Sequence, residues 1–170
     1  TQSREMAVLH VSSYYQPRKN VGRLVEACEE LKLPLYLVGS EGEEQDRAYL
    51  DRITVRCSFV ERKGFVSDEE LFDLMHSCKV FALPSLYEGV GLGALEAAAL
   101  GCNVVVTERG GPVDYFSEFA ELVNPESVRS IKEGIVRAMD REVGSGSAFV
   151  GEHFSEASSS AELFKIYSSL

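Results

Sequence analysis

The chain has 170 residues, which is typical of one domain and long enough to bury a hydrophobic core. Its formal net charge of −10 disfavours nucleic acid or an anionic membrane as a partner of the whole surface, although a local basic pocket stays compatible with it. The apolar stretches are well short of the ~20 residues of a membrane span.

Apolar runs and helical spacings alternate through the first half of the chain. Asn20 is placed to cap the first helix, and Ser67 with Glu70 resembles a capping box at the start of another. The predicted elements are a strand over 6–11, a helix over 20–32, a strand over 35–38, a short exposed helix over 41–51, a strand over 53–60, an extended piece over 64–66 and a helix behind Ser67.

The same alternation continues through the second half. Ser127 is placed to cap a long helix, and glycine and serine mark a loop over 142–147. The predicted elements are strands over 80–83, 103–106 and 120–123, helices over 93–100 and 127–139, a short helix near Tyr115 and a final helix that runs to Leu170.

Strands that alternate with helices predict an α/β fold, a Rossmann-like three-layer αβα sandwich with a mostly parallel sheet of six or seven strands. Sheets of this kind bind ligands beyond the carboxyl ends of their strands, so the loops that follow strands are the candidate site. These loops are 12–19, 39–42, 61–66, 85–93 and 107–111.

The four cysteines lie apart in apolar contexts without a CxxC pair, which predicts free buried thiols in a reducing compartment. They are Cys28, Cys57, Cys78 and Cys102.

The three histidines, His10, His76 and His153, show no metal-ligand spacing, so we expect no metal site. The polar N-terminus shows no signal-peptide pattern, and together these features favour a cytoplasmic location.

The most informative segment is Glu88-Gly-Val-Gly-Leu-Gly-Ala-Leu-Glu96, which joins a predicted strand to a predicted helix. Three glycines in five residues let the backbone approach a ligand, and the N-terminus of the helix attracts an anion such as phosphate. The two flanking carboxylates suit the hydroxyl groups of a sugar. A phosphate and hydroxyls together indicate a nucleotide sugar.

Three cations follow predicted strands and are candidates for the countercharge. Lys19 precedes a helix, where it can meet a diphosphate that the helix dipole also attracts. Arg62 and Lys63 lie in another such loop. On the chemistry of the residues alone, a solvated surface cation is the more common explanation for each of them. We expect Lys19, Glu88 and Glu96 around one crevice.

A second motif overlaps the same loop. Gly89-x-Gly91-x-x-Ala94 resembles a dinucleotide fingerprint, and Glu108 lies at the end of the next strand, where an acid that binds ribose is expected. This pattern supports an NAD- or FAD-binding oxidoreductase domain as the alternative. Against it, the segment Ser85-Leu-Tyr-Glu88 separates the strand from the first glycine, and two or three strands come before.

An ordered series of short motifs resembles the C-terminal half of the group 1 (family 4) glycosyltransferases, from Val8 to about Tyr167. These enzymes are retaining, metal-independent and built on the two-domain GT-B architecture, so the resemblance implies one half of a GT-B fold. The motifs are Gln16-Pro-Arg-Lys-Asn20, Leu37-Val-Gly39, Lys63-Gly-Phe-Val66, Asp68-Glu-Glu-Leu71, Val80-Phe-Ala-Leu-Pro-Ser85, Glu88-Gly-Val-Gly-Leu92, Leu95-Glu-Ala97, Gly101, Val104-Val-Val106 and Gly110-Gly111.

The resemblance implies a role for each residue of the site. Glu88 contacts the hydroxyls of the donor sugar, and Lys19 neutralises the phosphates and stabilises the leaving nucleoside diphosphate. Glu96 contacts the ribose. The backbone N–H groups of Gly89, Val90, Gly91 and Leu92 hold the diphosphate, the backbone around Val66 contacts the base, and Gly39 leaves room for it.

Two positions depart from the family's pattern. Tyr14 stands where the family usually has an arginine five residues before the lysine, and Arg18 is the candidate to replace that arginine at the phosphates. Val90 stands where phenylalanine is common, which widens that spot slightly.

The resemblance also implies a partner that the sequence does not contain. Residues 1–170 match the nucleotide-sugar-binding domain, whereas the family's N-terminal domain supplies the acceptor site. We therefore expect either an excised fragment, inactive alone, or a non-catalytic module that only binds a nucleotide sugar. The expected partners are the nucleotide sugar and that acceptor domain. Whether the acceptor domain attaches the protein peripherally to an inner membrane is left open. The base (UDP, GDP or ADP), the sugar and the acceptor stay open.

Overall fold

The computed structural model describes residues 3–55 and 57–154, and these residues form one parallel sheet with helices on both faces. The six strands are β1 (Glu5–Val11), β2 (Leu35–Val38), β3 (Val60–Gly64), β4 (Cys78–Leu83), β5 (Asn103–Thr107) and β6 (Glu121–Val123). Their order across the sheet is β3-β2-β1-β4-β5-β6, and every adjacent pair is parallel. The predicted parallel sheet is confirmed.

Seven α-helices and one short 3₁₀ turn (Pro17–Lys19) connect the strands of the described chain. The helices are α1 (Val21–Leu31), α2 (Glu44–Thr54), α3 (Asp68–Ser77), α4 (Leu92–Ala99), α5 (Pro112–Phe116), α6 (Val128–Asp140) and α7 (Ser147–His153). The hydroxyls of Ser67 and Ser127 accept hydrogen bonds from the N–H groups of Glu70 and Ser130, so both predicted serine caps are confirmed.

Two hydrophobic cores lie on opposite faces of the sheet. Helices α1, α2 and α6 cover one face, where Leu24 and Ile131 pack on Leu37 among fully buried side chains. Helices α3, α4, α5 and α7 cover the other face, where Phe81 and Phe116 belong to the second core. Because successive strand residues point to opposite faces, strands buried on both sides are apolar at almost every position, as β4 and β5 are.

The direction in which the chain adds strands to the sheet reverses between the two central strands, β1 and β4. From β1 the chain moves outward to β2 and β3, then returns to β4 on the other side of β1 and moves outward again to β5 and β6. The loops after β1 and β4 therefore separate and leave a crevice at the carboxyl edge of the sheet. This is the position at which a parallel sheet with this strand order binds its ligand.

The prediction of the third strand was wrong. Residues 53–60 were predicted as a strand, but α2 continues to Thr54, whose hydroxyl donates to the carbonyl of Leu50, and β3 begins only at Val60. The strand β3 lies at the edge of the sheet, where one side faces solvent and charged side chains are tolerated. Its polar sequence therefore lacked the apolar pattern used to find strands.

Smaller differences concern where elements begin and end. Gly64 ends β3 instead of opening a separate extended piece. Cys78 falls at helical spacing after Leu71, Leu74 and Met75, which predicts that it belongs to α3, but it begins β4. The predicted loop over 142–147 is followed by the short helix α7, which ends at His153. The rest of the predicted final helix, to Leu170, lies outside the described residues.

The end of β2 packs against the loop after β1 at a single glycine. Gly39 has a φ of +121°, and a Cβ atom added there would lie 2.1 Å from the carbonyl oxygen of Ser12. The Gly39 N–H donates to the carbonyl of Gly64 at 2.8 Å. A residue with a side chain at position 39 would push apart the ends of β1 and β2, and with them the floor of the crevice.

We predict that Gly39→Ala lowers the free energy of unfolding by about 3 kcal/mol, because strained backbone and a steric overlap add together. Gly64→Ala is the matched control, since Gly64 also has a positive φ, +65°, but an added Cβ there meets no atom within 4 Å. The control change should cost only about 1–2 kcal/mol. Urea denaturation measures both, and equal losses for the two variants would contradict the proposed overlap.

Candidate functional site

Two charged side chains meet in the crevice, one from the loop after β1 and one from the loop after β4. The Nζ atom of Lys19, after β1, lies 2.7 Å from Oε2 of Glu88, after β4, although the two residues are 69 positions apart. Their side chains are only 10% and 12% exposed. Shielding from water strengthens the Coulomb attraction between the two charges, and it makes the loss of either partner costly because the other charge would stay buried and unpaired.

Lys19 is held in place by its neighbour in the chain. Asn20 has a left-handed backbone, with φ of 60°, and its buried side-chain amide donates to the carbonyls of Pro84 at 2.9 Å and Pro125 at 2.7 Å. These bonds connect the loop after β1 to the loops after β4 and β6. Asn20 stands at the predicted N-cap position of α1, but its side chain makes no cap bond, because Oδ1, the atom that would accept from the first N–H groups of the helix, accepts from Nη1 of Arg23 at 2.9 Å.

Glu88 is held by bonds from three directions. The hydroxyl of Ser85 donates to Oε2 of Glu88 at 3.0 Å, beside the Lys19 ammonium. The backbone of Glu88 forms a short bridge to the loop after β5, where its carbonyl accepts from the N–H of Gly111 at 3.1 Å. The carboxylate is therefore fixed both by its backbone and by its hydrogen-bond donors.

These contacts keep Glu88 ionised. Burial by itself would raise the pKa of the Glu88 carboxyl, but the hydrogen bond and charge of Lys19, followed by the hydroxyl of Ser85, lower it further than burial raises it. The pKa of Glu88 thus lies below its ordinary value. At neutral pH the crevice contains a carboxylate, which accepts hydrogen bonds from hydroxyl groups.

A buried histidine lies beneath this pair. His10, on β1, is fully buried, with Nδ1 2.7 Å from the carbonyl oxygen of Ala82 and Nε2 2.7 Å from the hydroxyl of Ser12. Burial lowers the pKa of His10 to about 4; the Ala82 carbonyl and the Glu88 charge act against this, and the Lys19 charge adds to it. The ring is neutral at physiological pH, and its only signal in the sequence was a polar residue near the end of an apolar strand.

The glycine loop leads from Glu88 into α4. Gly91 has a left-handed φ of 79°, and the helix begins at the next residue without a side-chain cap. An added Cβ at Gly89 would meet no atom within 4 Å, so this part of the loop borders open space. Among the described residues, the N–H groups of Gly89 to Gly93 have no hydrogen-bond acceptor, whereas that of Ala94 donates to the carbonyl of Gly91 at 2.9 Å. This arrangement attracts an anion.

The other predicted site residues lie around the same edge of the sheet. Glu96 is an exposed residue of α4 and lines a groove with Asp68 and Leu71 of α3. Val66 follows β3 and is partly buried against the second core. Gly39 directly follows β2, and the backbone of Ser12 occupies the space where a side chain at position 39 would lie.

Of the remaining predicted cations, two lie in strand β3 and are paired with carboxylates, and the third, Arg18, is exposed. Arg62 and Lys63 lie within β3, not in a loop after it, and are bound to carboxylates: Arg62 to Glu41 at 2.8 Å and Lys63 to Glu61 at 2.9 Å. Their prediction as loop cations of the site was wrong in this respect. Arg18 is exposed, and its Nε donates to the Gln16 side chain at 3.1 Å.

Tyr14, at the position of the family's arginine, is turned into the protein. It is only 1% exposed, and its hydroxyl donates to the carboxylate of Glu41 at 2.8 Å. Glu41 also accepts from Arg62, and the Arg62 and Tyr14 hydrogen bonds lower the pKa of Glu41 although burial acts in the opposite direction. Tyr14 therefore joins an ion network behind β2 and β3 and supplies no charge to the crevice.

All four cysteines are free and buried, as predicted. Burial raises the pKa of the Cys78 thiol to about 12 and that of Cys102 to about 11, so these groups are protonated at neutral pH. Such thiols are poor nucleophiles and poor metal ligands. The cysteines belong to the core and not to the site.

The described residues contain neither a metal-binding cluster nor a membrane-spanning helix. Within residues 3–55 and 57–154, no three His, Cys, Asp or Glu side chains are grouped so that they could hold a metal ion. In the same part of the chain, no helix has the length and apolar character that crossing a membrane requires.

Comparison with known proteins identifies the family. A family model described as glycosyl transferases group 1 matches residues 5–141, well over half of the chain. The chain belongs to the group 1 glycosyl transferases. This membership decides against the oxidoreductase alternative, whose fingerprint here follows β4, the fourth strand along the chain, with Glu108 exposed after β5.

Named relatives include two bacterial mannosyltransferases. The chain is 30% identical over 132 residues to O-antigen chain mannosyltransferase B of Escherichia coli, covering 73% of this chain and 34% of that protein. It is also 30% identical over 140 residues to MMP alpha-(1->4)-mannosyltransferase of Mycolicibacterium hassiacum, covering 78% of this chain and 34% of that protein. The chain thus spans about a third of the length of these relatives.

Solved structures share the fold. HepE of Anabaena in complex with UDP has a TM-score of 0.81 at 21% identity, over 98% of this chain and 50% of that one. Sucrose-phosphate synthase from Thermosynechococcus elongatus has a TM-score of 0.78 at 24% identity, over 99% of this chain and 46% of that one. The Rossmann-like αβα fold is thereby confirmed, and it corresponds to about half of each of these solved chains.

We predict that stability falls with acid because His10 is buried in its neutral form. Above pH 6.5, the ordinary pKa, neither the folded nor the unfolded state binds the proton, so the full stability is present. Between pH 6.5 and the folded value of about 4, only the unfolded state binds it, which costs about 1.4 kcal/mol per pH unit.

His10→Asn is the variant that reveals this contribution, because it removes the titrating ring while every other carboxylate and histidine stays. The difference in unfolding free energy between the wild type and the variant, followed by urea denaturation from pH 7.5 to 4.5, should shrink as the pH falls. A difference that stays constant over this range would contradict the neutral, buried state of His10.

Proposed function

We propose that this chain is the donor-binding domain of a retaining glycosyltransferase, which transfers a sugar from a nucleoside-diphosphate sugar to an acceptor hydroxyl without a metal ion. The observation that carries the proposal is the buried pair of Lys19 and Glu88 beside an open glycine loop, at the point where the sheet changes direction. Family membership supports the reaction class.

The diphosphate would occupy the space beside Gly89. There the N–H groups from Gly89 to Leu92 and the N-terminus of α4 would donate hydrogen bonds to its oxygens. Lys19 lies close enough to Glu88 to be shared between that carboxylate and the phosphate. As the sugar leaves, negative charge builds up on the nucleoside diphosphate, and these fixed donors stabilise it without having to move.

The sugar would lie over Glu88, whose ionised carboxylate accepts hydrogen bonds from sugar hydroxyls. Ser85 and Lys19 hold this carboxylate in one orientation, so little rearrangement is needed when the donor binds. We assign both Lys19 and Glu88 to catalysis, since each contacts the donor next to the bond that breaks.

The nucleoside would extend from the phosphates toward α3. Glu96 lies on the α3 side of α4 and would bind the ribose, while the backbone at Val66 would contact the base. Gly39 would leave room there, and Arg18, exposed next to Lys19, would reach the phosphates. The structures of HepE of Anabaena include complexes with UDP and with UDP-glucose, which makes a uridine nucleotide a reasonable first ligand.

A donor of the mannosyl class also belongs in the test, because the named relatives include mannosyltransferases. The pair of donors UDP-glucose and GDP-mannose therefore covers both kinds of relative. A non-catalytic module that keeps the binding site but does not transfer sugar is the second candidate, and measurements of transfer decide between them.

We predict that the protein binds a nucleoside diphosphate equally well with and without EDTA, because Lys19 and backbone N–H groups supply the positive charge. Lys19→Ala should weaken this binding by about 1–3 kcal/mol, about five- to 150-fold, since it removes a charge-assisted hydrogen bond and leaves Glu88 unpaired near the phosphates. Isothermal titration calorimetry measures both effects.

Lys132→Ala is the matched control, because Lys132 is also bound to a glutamate, Glu30, but lies on α6, remote from the crevice. It should leave the affinity unchanged. Loss of binding on addition of EDTA would show that a metal ion binds the phosphates. An equal loss of affinity in Lys19→Ala and Lys132→Ala would show that Lys19 acts only through the overall charge of the protein.

We also predict that residues 1–170 bind the donor but do not transfer its sugar. Transfer needs an acceptor hydroxyl held at the anomeric carbon, and positioning of this kind accounts for ~7–11 kcal/mol of a barrier. In a GT-B enzyme the cleft between two domains supplies it and excludes water. Slow hydrolysis of the donor is the only turnover expected from this chain.

In a longer protein that carries the acceptor domain, transfer should be present, and Glu88→Gln should lower kcat more than it raises KM. The reason is that the carboxylate acts on the sugar as its charge develops and contributes less to ground-state binding. Measurement of sugar transfer by both forms tests this. Rapid transfer by residues 1–170 alone would place the acceptor site within this chain and refute the assignment.

A further inference from the structure

A buried ring, His10, and a half-buried serine, Ser12, form a hydrogen-bonded unit near the charges of Lys19 and Glu88, and the proposed donor binding does not use it. Both residues belong to the end of β1 or the loop directly after it, at the carboxyl edge of the sheet. The backbone of Ser12 is held on two sides: its N–H donates to the carbonyl of Val38 at 3.0 Å, and its own carbonyl packs against Gly39. Only its hydroxyl is left to rotate.

The protonation of the ring decides how that hydroxyl is oriented. The carbonyl of Ala82 can only accept a hydrogen bond, so the Nδ1 atom of His10, 2.7 Å away, must carry the proton. A neutral ring with its proton on Nδ1 has a lone pair on Nε2. The hydroxyl of Ser12, 2.7 Å from Nε2, is therefore the donor in that bond.

A serine hydroxyl has one proton and two lone pairs. Since His10 binds the proton, the half-buried Ser12 can offer only lone pairs to a ligand in the crevice. A phosphate oxygen has no proton to donate and is repelled by such a group. A sugar hydroxyl has a proton and is accepted. The same oxygen thus distinguishes the two parts of a nucleotide sugar.

We propose that Ser12 binds a hydroxyl group of the donor sugar and that His10 is the positioning residue that orients it. The proposal rests on the proposed function, because it assigns a contact within the same donor site. The neutral ring also leaves Lys19 as the cation that pairs with Glu88, since an imidazolium at position 10 would compete with it for the carboxylate.

Three variants of the protein separate orientation from packing. Ser12→Ala removes the hydroxyl and keeps the backbone contacts. His10→Asn is short, so its amide can replace Nδ1 at Ala82 but cannot reach Ser12. His10→Gln is longer, and its side-chain oxygen can accept from Ser12 as Nε2 does. Calorimetry compares each variant with the wild type for UDP against UDP-glucose and for GDP against GDP-mannose.

Ser12→Ala and His10→Asn should weaken binding of the nucleotide sugar about five- to tenfold and leave binding of the nucleoside diphosphate unchanged. His10→Gln should restore most of the affinity for the nucleotide sugar. Thermal unfolding of each variant shows whether the fold is kept. Ser12→Ala alters no buried backbone contact, so it tests the contact even where a His10 variant is unstable.

Equal losses for the two ligands would show that His10 and Ser12 only support the fold, and no loss in Ser12→Ala would show that the hydroxyl meets no sugar; either result overturns the proposal. If the wild type binds the nucleoside diphosphate but gains nothing from the sugar, the sugar contact fails while the phosphate site stands. If the wild type binds neither kind of ligand, the proposed function fails with it.

Discussion

The ion pair between Lys19 and Glu88 is placed where the parallel sheet changes direction, and the candidate site depends on it. Two charges that are about nine-tenths shielded from water are stable only when paired and further hydrogen-bonded. Ser85 supplies an additional donor to Glu88. Removal of either partner would leave an uncompensated charge in the crevice, so the pair constrains both the loop after β1 and the loop after β4.

The charge distribution explains how a protein of net charge −10 can be proposed to bind a diphosphate. Cations away from the crevice, such as Arg62 and Lys63 on β3, are bound to neighbouring carboxylates. At the crevice, the positive charge of Lys19 is combined with the N-terminus of α4 and the N–H groups of the glycine loop, which attract an anion without carrying a formal charge. Affinity for phosphate is thus a local property of the backbone.

Prediction from the sequence succeeded where the pattern of side chains reports on burial. The central strands β1, β4 and β5 are largely buried on both faces and therefore mostly apolar, and the hydroxyls of the serines that precede α3 and α6 cap these helices. It failed at β3, because an edge strand with one solvated side has no need of apolar residues. At Asn20 it gave the position of the cap but not its bond, because the amide protons bind the carbonyls of distant loops and the amide oxygen accepts from Arg23.

The sequence by itself determined the class of fold, the family and the residues of the glycine loop, because periodicity, caps and motif spacing are local properties of the chain. Only the tertiary structure decided which of the candidate cations meets Glu88, that Tyr14 faces Glu41, and that His10 is neutral and bound to Ser12. These facts depend on which strands are neighbours. The strand order brings together residues 69 positions apart, and exclusion of water then sets their charge.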